Sequence, residues 1–312
     1  MTMGIGARGP RAGAAICAAL AAVERVASGE IGGFAVLAAL AGGEEVVRLE
    51  TQRMGLAGAL ANAYPETRRR FEAASVAALI TSGPDRPVPL AQFLPGSSRA
   101  LVTGHRLPNT AGADGRPMNQ RLLERVDAGI EPATALDELL RVEPESDAGF
   151  IVVTPARLVA GNTCRVRRRP DARLAQRASL LLDAEVAVLH NAIRPAECLA
   201  GLAAAVALEA METAAQARPM LDLVAGTAIE AAAEDAVEID AQRRIRRILS
   251  ANPALPLAER WTGAAVYPGS LVLLDGKCIG RTIGEAWALV GGGRVRALRD
   301  AGHGRISFEL LP

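Results

Sequence analysis

Hydrophobic and polar positions follow a β-type pattern in the stretch Gly32–Arg53, which contains two apolar runs around a glycine turn. The runs are Phe34–Leu40 and Val46–Leu49, and Ala41-Gly42-Gly43 joins them. The second run passes into an alternation of polar and apolar residues that reaches Thr51, as expected for a strand with one buried face. Two such runs on either side of a Gly-Gly turn predict a β-hairpin.

The same reasoning predicts an α+β chain in which Ala-rich helices pack on antiparallel sheets. Further strands are predicted at residues 2–7, 99–103, 185–190, 264–274 and 305–310, with a second hairpin at 149–154 and 157–162. Apolar residues at helical spacing predict helices at residues 14–27, 66–80, 118–128, 132–140, 195–214 and 230–250. Residues 81–98 contain four prolines and are predicted to be a loop.

An arginine-rich segment, residues 165–177, divides the chain in two. It holds six arginines around Pro170. We interpret it as a solvated linker, and an anion- or nucleic-acid-binding patch is the alternative. This interpretation places an α+β unit at residues 1–164. It leaves a C-terminal α+β portion at residues 178–312, either as a second domain or as part of the same one.

Composition narrows the choice of partners. The 312-residue chain has a net charge of +1, which gives no general attraction to nucleic acid or to an anionic membrane. Aromatic residues make up 3% of the chain, too few to favour stacking on single-stranded nucleic acid. The four cysteines and three histidines stand apart without metal-ligand spacing. We therefore expect a small-molecule substrate, no nucleic acid, no membrane partner, no cofactor and no metal.

The beginning of the chain is similar to a signal peptide but departs from one. Arg8 and Arg11 precede the apolar run Ala12–Val23, as in a secretory signal, but Glu24 and Arg25 end that run. No apolar run approaches the roughly 20 residues that a membrane-spanning helix needs. We therefore expect a cytoplasmic protein.

Several motifs follow one another between Gly32 and Thr163. The first hairpin ends in Glu50-Thr51-Gln52-Arg53-Met54-Gly55, and the next strand leads into Gly104-His105-Arg106-Leu107-Pro108-Asn109-Thr110-Ala111-Gly112. The second hairpin ends in Leu158-Val159-Ala160-Gly161-Asn162-Thr163. In this order the motifs resemble the N-terminal-nucleophile (Ntn) hydrolases, particularly their isoaspartyl-peptidase and γ-glutamyltransferase branches. The resemblance implies a four-layer αββα sandwich and cleavage of an amide bond at the end of a central strand.

The chain departs from that family at the position of the nucleophile. The family needs Thr, Ser or Cys at the start of the first hairpin strand, whose freed α-amine then acts as the base. Phe34 occupies that place and offers no nucleophile. Removal of Met1 would instead expose Thr2 at the start of a predicted strand. Autocleavage before Thr81 or Ser82 is the other source of a nucleophile.

Polar side chains at the ends of predicted strands are the candidate site residues. The catalytic candidates are Thr2 as nucleophile, His105 as general base and Asn162 as an oxyanion donor. Arginines beside a strand end or a helix N-terminus can hold a substrate carboxylate. The substrate-binding candidates are therefore Arg8, Thr51, Arg53, Asn109, His190 and Asn191.

These residues lead to one preferred function and two alternatives. The preferred function is hydrolysis of a small, anionic metabolite that contains an amide. The first alternative is a non-catalytic Ntn-like protein that binds a metabolite or assembles with a partner enzyme, which Phe34 favours. The second is a metal-independent lyase or isomerase with His105 or His190 as its base. A homodimer is left open.

Overall fold

The hairpin predicted at Gly32–Arg53 is present as two antiparallel strands within a larger sheet. The computed structural model describes residues 1–28, 31–42, 45–83, 85–180, 182–215, 219–298 and 304–311. Gly43 of the predicted turn and the third histidine, His303, lie outside these ranges. The chain divides into unit 1, Met1–Gln216, and unit 2, Ala217–Pro312. The predicted boundary at the arginine-rich segment therefore falls inside unit 1.

Unit 1 has an α+β fold. Its strands are β1 (Thr2–Arg8), β2 (Ala35–Leu40), β3 (Val46–Thr51), β4 (Val76–Ser82), β5 (Leu101–Arg106), β6 (Ala148–Val153), β7 (Leu158–Asn162), β8 (Ala172–Ala178) and β9 (Glu185–Asn191). Its helices are α1 (Ala12–Val26), α2 (Gly55–Ala61), α3 (Pro65–Ala73), α4 (Met118–Asp127), α5 (Pro132–Val142), α6 (Cys164–Arg167) and α7 (Ala196–Ala215).

Two antiparallel sheets form the middle of unit 1. The larger sheet has six strands in the order β3-β2-β4-β1-β9-β8, and the smaller has the order β5-β6-β7. Apolar residues on the facing sides of the two sheets share one core, which includes Ile80, Leu189, Leu101 and Ile151. The sheets therefore lie face to face, as strands that are buried on both sides require.

Helices cover the outer face of each sheet. Ile16 of α1 and Leu199 of α7 share a core with Ile5 and Leu79 of the six-stranded sheet. Leu122 of α4 and Leu136 of α5 pack with Val102 and Phe150 of the three-stranded sheet. The order of layers is thus helix, sheet, sheet, helix. This confirms the predicted α+β class and its αββα layering with Ala-rich helices on antiparallel sheets.

Helix α7 is long and rich in alanine. Among the described helices it alone has the length, 20 residues, and the mean hydropathy, 1.5, of a membrane-spanning segment. In unit 1 it packs against α1, β8 and β9. Its alanines allow this close approach to a neighbouring helix and to the sheet at once.

The two sheets approach most closely where β1 crosses β5. A Cβ atom added to Gly4 would lie 2.3 Å from the carbonyl oxygen of Gly104. A Cβ atom at Gly6 would meet the side chains of Ile151 and Val153 at 2.7 and 2.6 Å. A side chain at either position would therefore force its neighbours to move. This crossing fixes which residues of the two sheets face each other.

Unit 2 is built from one mixed ten-stranded sheet and a short helix. Its strands follow the order β10-β19-β16-β15-β12-β13-β11-β18-β17-β14. Residues such as Val237, Ile248, Val290 and Phe308 form its core. The elements are β10 (Met220–Asp222), β11 (Ala228–Ala231), β12 (Ala236–Ile239), β13 (Ile245–Ser250), α8 (Ala254–Leu257), β14 (Trp261–Val266), β15 (Leu271–Leu274), β16 (Lys277–Thr282), β17 (Ala286–Gly291), β18 (Arg294–Leu298) and β19 (Arg305–Leu310).

Three predicted segments have a different secondary structure, and the strand expected at residues 264–274 is divided into β14 and β15. The helix expected at residues 66–80 ends at Ala73, and β4 follows as a central strand buried along its whole length. The helix expected at residues 230–250 is replaced by β11, β12 and β13, whose charged residues form cross-strand pairs such as Arg247 with Glu238. The linker expected at residues 165–177 contains α6 and β8. Carboxylates pair with several of its arginines, among them Arg169 with Asp171.

Candidate functional site

Two rows of polar residues face each other at the end of unit 1 where β1 begins. On the six-stranded sheet, Thr2 pairs with Ser82 on one side and with Asn191 on the other. On the three-stranded sheet, His105 and Asn162 both pair with Gly149 between them. We call Thr2, Ser82, His105, Asn162 and Asn191 the polar end cluster.

The register of the strands places these residues between the sheets. Side chains alternate faces along a strand, and Ile80, Leu189 and Ala160 lie two residues from Ser82, Asn191 and Asn162 in the core between the sheets. Gly4 meets Gly104, and Gly6 meets Ile151 and Val153, which pair with Thr103 and Leu101. Strand β1 therefore runs opposite to β5, and the residues before Gly4 lie at the same end as those after Gly104. Four of the candidate residues, Thr2, His105, Asn162 and Asn191, come from distant segments of the chain and lie at the same end of unit 1.

His105 is a strand residue with no solvent exposure, and its imidazole has one free nitrogen. Its Nε2 atom lies 2.8 Å from the Oδ1 atom of Asn162. Because that oxygen only accepts hydrogen bonds, Nε2 carries the proton and Nδ1 is left as an acceptor. Nδ1 is buried without a hydrogen-bond partner in the described structure. Burial lowers the pKa of His105 to about 4, so the ring is neutral near pH 7.

Asn191 is the second buried polar side chain of the cluster that lacks a partner. Neither Oδ1 nor Nδ2 makes a hydrogen bond within the described residues, and the side chain has no solvent exposure. A buried polar group that stays unpaired costs about 1–3 kcal/mol, so such groups normally bind water or a ligand. Unpaired groups on both facing sheets, at the same end, indicate a place for a polar molecule.

Ser82 brings an arginine to the cluster that sequence analysis did not identify. The Nε atom of Arg86 donates a hydrogen bond of 2.8 Å to Ser82 Oγ. Gln52 fixes the backbone of Arg86 through hydrogen bonds of 2.6 and 2.8 Å to its carbonyl and N–H groups. The terminal nitrogens of Arg86 form no ion pair with any carboxylate that the structure describes. Its position in a proline-rich loop gave no sequence signal.

A left-handed residue directly follows both His105 and Asn191 in the chain. Arg106 has φ 65° and Ala192 has φ 54°, values that residues other than glycine rarely adopt. The guanidinium of Arg106 pairs with Asp147, which lowers the pKa of that carboxyl group. The Ala192 N–H donates to the carbonyl of Asp171 at 3.1 Å. Such conformations persist only where surrounding contacts impose them, and they are frequent at functional sites.

A cavity of about 440 Å³ lies at the outer end of both rows. Asn162 lines it, as does Ala172, which pairs with Asn191. Leu140 and Leu174 give it apolar walls, and its charged lining residues are Arg167 and Asp137. Its size suits a small molecule. Asn162 is the member of the polar end cluster that lines this cavity.

The remaining predicted residues do not all join this cluster. Arg8 lies at the other end of β1, where its guanidinium pairs with Asp183 at 2.5 Å and with Glu185 at 2.9 Å. These two acceptors raise its pKa. Six residue steps of about 3.3 Å each separate Arg8 from Thr2, so the two are about 20 Å apart along the strand. The structure therefore separates Arg8 from the proposed nucleophile.

His190 and Thr51 face the helical layer instead. His190 lies on the same face of β9 as Val186 and Val188, which pack in the core under α1 and α7. Its ring nitrogens make no well-formed hydrogen bond, although the backbone of Ala196 is near enough to oppose in part the lowering of its pKa by burial. Thr51 donates a hydrogen bond to the carbonyl of Arg53 at 2.5 Å.

Arg53 and Asn109 lie in two other places. Arg53 is exposed and pairs with Asp85 at 2.9 Å. Asn109 donates from Nδ2 to Gln92 Oε1 at 3.0 Å and lines a different cavity. Among the described residues, no group of three His, Cys, Asp or Glu side chains is arranged to hold a metal ion.

Comparisons of the sequence agree with the division into two units. Residues 226–303 match the family model described as a domain of unknown function, DUF7259. No curated protein matches the chain. Residues 2–220 match the model described as a domain of unknown function, DUF6963, over more than half of the chain. The chain therefore belongs to the DUF6963 family.

Proposed function

We propose that unit 1 hydrolyses a small, anionic amide in the cytoplasm, with Thr2 as an N-terminal nucleophile. The observation that carries this proposal is the position of Thr2. It begins the strand β1 and lies between Ser82 and Asn191, at the same end of the facing sheets as His105, whose ring is neutral near pH 7. A hydroxyl group next to unpaired buried polar groups is the arrangement that acyl transfer needs. The αββα layering and the resemblance of Gly32–Thr163 to Ntn hydrolases also support it.

The chemistry begins once Met1 has been removed. The Thr2 hydroxyl attacks the amide carbonyl carbon, and its proton passes to the freed α-amine of the same residue. The Nδ2 group of Asn191 donates to the oxyanion that forms. Collapse breaks the C–N bond, and the amine product leaves with the proton from the α-ammonium group. Water then attacks the Thr2 ester and releases the acid product.

Two further residues have roles in binding. The unpaired nitrogens of Arg86 hold the carboxylate of the substrate, since a guanidinium matches a carboxylate in charge and geometry. The Nδ1 atom of His105 accepts a hydrogen bond from the amide N–H or from the attacking water. Asn162 holds the His105 ring in the tautomer that leaves Nδ1 free. Arg8 and Arg53 are not needed for this site, because carboxylates of the chain already bind them.

The first test is the intact mass and N-terminal sequence of the untagged protein. We expect a chain that begins at Thr2. Activity is then measured on a panel of anilides that carry a free carboxylate, such as γ-glutamyl, β-aspartyl and succinyl p-nitroanilide. We expect Thr2→Ala to lose at least a hundredfold in kcat/KM and Thr2→Ser to retain measurable turnover. Arg86→Met should raise KM more than it lowers kcat, since its interaction is with the bound carboxylate.

Specific outcomes favour the alternatives. A protein that keeps Met1 and still hydrolyses the anilides contradicts the role of Thr2. Binding of these compounds without turnover, unchanged in Thr2→Ala, supports a non-catalytic metabolite-binding protein. The free Nδ1 of His105 favours the lyase or isomerase alternative, although a pKa of about 4 makes it a weak base near pH 7. That alternative requires an activity that survives Thr2→Ala and disappears in His105→Gln.

A further inference from the structure

A second cavity in unit 1, of about 390 Å³, shares no lining residue with the cavity beside the polar end cluster. It lies between the segment 89–96 and the first turns of α4, and Arg48 of β3 reaches it. The described residues of its walls carry amide groups and apolar groups but no carboxylate. They are Arg48, Pro89, Ala91, Gln92, Pro95, Gly96, Asn109, Pro117, Asn119, Gln120 and Leu123. Among the described residues that line it, the only charged group is therefore the guanidinium of Arg48.

Arg48 is a half-buried cation without a partner of opposite charge. Its Nη1 atom donates to the carbonyl oxygen of Leu94 at 2.7 Å, which accounts for one of its five N–H donors. No carboxylate among the described residues lies within ion-pair distance of it. Burial lowers its pKa, and Glu50 on the same strand opposes that effect only in part. An arginine in this position is stabilised by an anion that enters the cavity.

The amide groups of the cavity are held in fixed positions. The buried Asn119 donates to the carbonyl of Gln92 at 2.8 Å and accepts from the Gln120 N–H at 2.9 Å. Asn109 donates to Gln92 Oε1, and Gln92 donates to the carbonyl of Pro87, each at 3.0 Å. These bonds leave Asn109 Oδ1 without a donor among the described residues and keep the polar wall rigid. A preorganised polar wall around one cation is typical of a small-ligand site.

We propose that this cavity binds a small organic carboxylate, with Arg48 holding the carboxylate group and Leu123, Ala91 and the prolines contacting the apolar part. A carboxylate fits because the free edge of the guanidinium offers parallel N–H donors. The apolar wall selects a molecule with a short hydrocarbon part over inorganic anions. This site is independent of the hydrolysis proposed at Thr2.

The test compares each carboxylate with its uncharged amide on the full-length protein. The probes are acetate, hexanoate, benzoate and glutarate, with acetamide, hexanamide, benzamide and glutaramide as matched neutral compounds. Binding is measured by saturation-transfer NMR and by the shift in melting temperature. We expect at least one carboxylate to bind at least tenfold more tightly than its amide. The absence of any such difference across the panel overturns the proposal.

Variants locate the binding site. Arg48→Met should weaken the selected carboxylate at least tenfold, whereas the exposed Arg53→Met should leave its affinity unchanged. If Arg48→Met fails to fold, Gln120→Glu serves instead, because it adds a negative charge to the wall without touching the Arg48–Leu94 hydrogen bond. Unchanged affinity in Gln120→Glu overturns the proposal. Thr2→Ala and Arg86→Met should keep this binding, so the failure of either proposal is distinguishable from the failure of the other.

Discussion

At the scale of single residues, His105 makes the stability of unit 1 depend on pH. The ring is neutral in the folded protein because burial lowers its pKa from 6.5 to about 4. In the unfolded chain it takes up a proton below about pH 6.5. Between these values the unfolded state binds more protons, so the free energy of unfolding falls as the pH falls. Below about pH 4 this loss of stability is complete, because the folded protein then also takes up the proton.

We predict that the free energy of unfolding depends more strongly on pH in the wild type than in His105→Gln. An interval of about 2.5 pH units, at about 1.4 kcal/mol per unit, corresponds to about 3 kcal/mol. The cost of the substitution, measured by urea unfolding, should therefore shrink by about that amount between pH 7 and pH 4. Asp147 and His190 titrate in both proteins, so their contributions cancel in the comparison. A cost that is the same at both pH values contradicts a buried neutral His105.

At the scale of elements, the close crossing of β1 and β5 determines where the polar end cluster forms. Gly4→Ala would place a Cβ atom against the backbone of Gly104, and backbone yields less readily than a side chain. Overpacking of this kind typically costs about 1–3 kcal/mol. We expect that loss in thermal or urea unfolding, together with reduced activity, because the two rows of the cluster would be displaced from each other.

The matched control is the same substitution in α7. A Cβ atom at Gly201 would have only the Arg177 guanidinium nearby, at 3.9 Å. Gly201→Ala should therefore raise the free energy of unfolding by about 0.5–1 kcal/mol, since alanine is the better helix former. Opposite signs for the two substitutions would support the close approach of the sheets. Equal effects would contradict it.

The elements also explain which predictions from sequence were correct. Short turn-forming segments join the strands of both hairpins of unit 1, and β3 and β19 alternate buried with less buried positions, so short-range signals were sufficient. Strand β4 is buried on both faces and reads as a continuous apolar run, which periodicity alone does not distinguish from a helix. Arg86 was missed because its role depends on Gln52 and Ser82, which only the tertiary fold brings to it.

The candidate site was predictable in its residue types but not in its grouping. Thr2, His105, Asn162 and Asn191 all stand at strand ends, which the sequence indicates. Arg8 stands at a strand end too, but at the opposite end of β1. The sequence did not reveal this, because the direction of β1 relative to β5 is a tertiary property. Distances across a sheet come from register and crossing, and the sequence specifies neither locally.

At the scale of the whole molecule, each unit has a core of its own. The cores between the layers of unit 1 contain residues up to Met211, and the core of unit 2 begins with Leu221. The two family matches, residues 2–220 and 226–303, fall on the same division. A segment with a core of its own is expected to fold alone. We therefore predict that residues 1–216 form a stable domain.

The fragment 1–216 is the sharpest way to separate the roles of the units. Because both the polar end cluster and the Arg48 cavity lie in unit 1, the fragment should unfold cooperatively in urea and keep full hydrolysis and carboxylate binding. Its two-dimensional amide NMR spectrum should overlay on the corresponding signals of the whole chain. A fragment that is compact but lacks cooperative unfolding would mean that unit 1 depends on unit 2 for its packing. A well-folded fragment without activity would instead show that unit 2 supplies part of the site, and the assignment of catalysis to unit 1 would then be wrong.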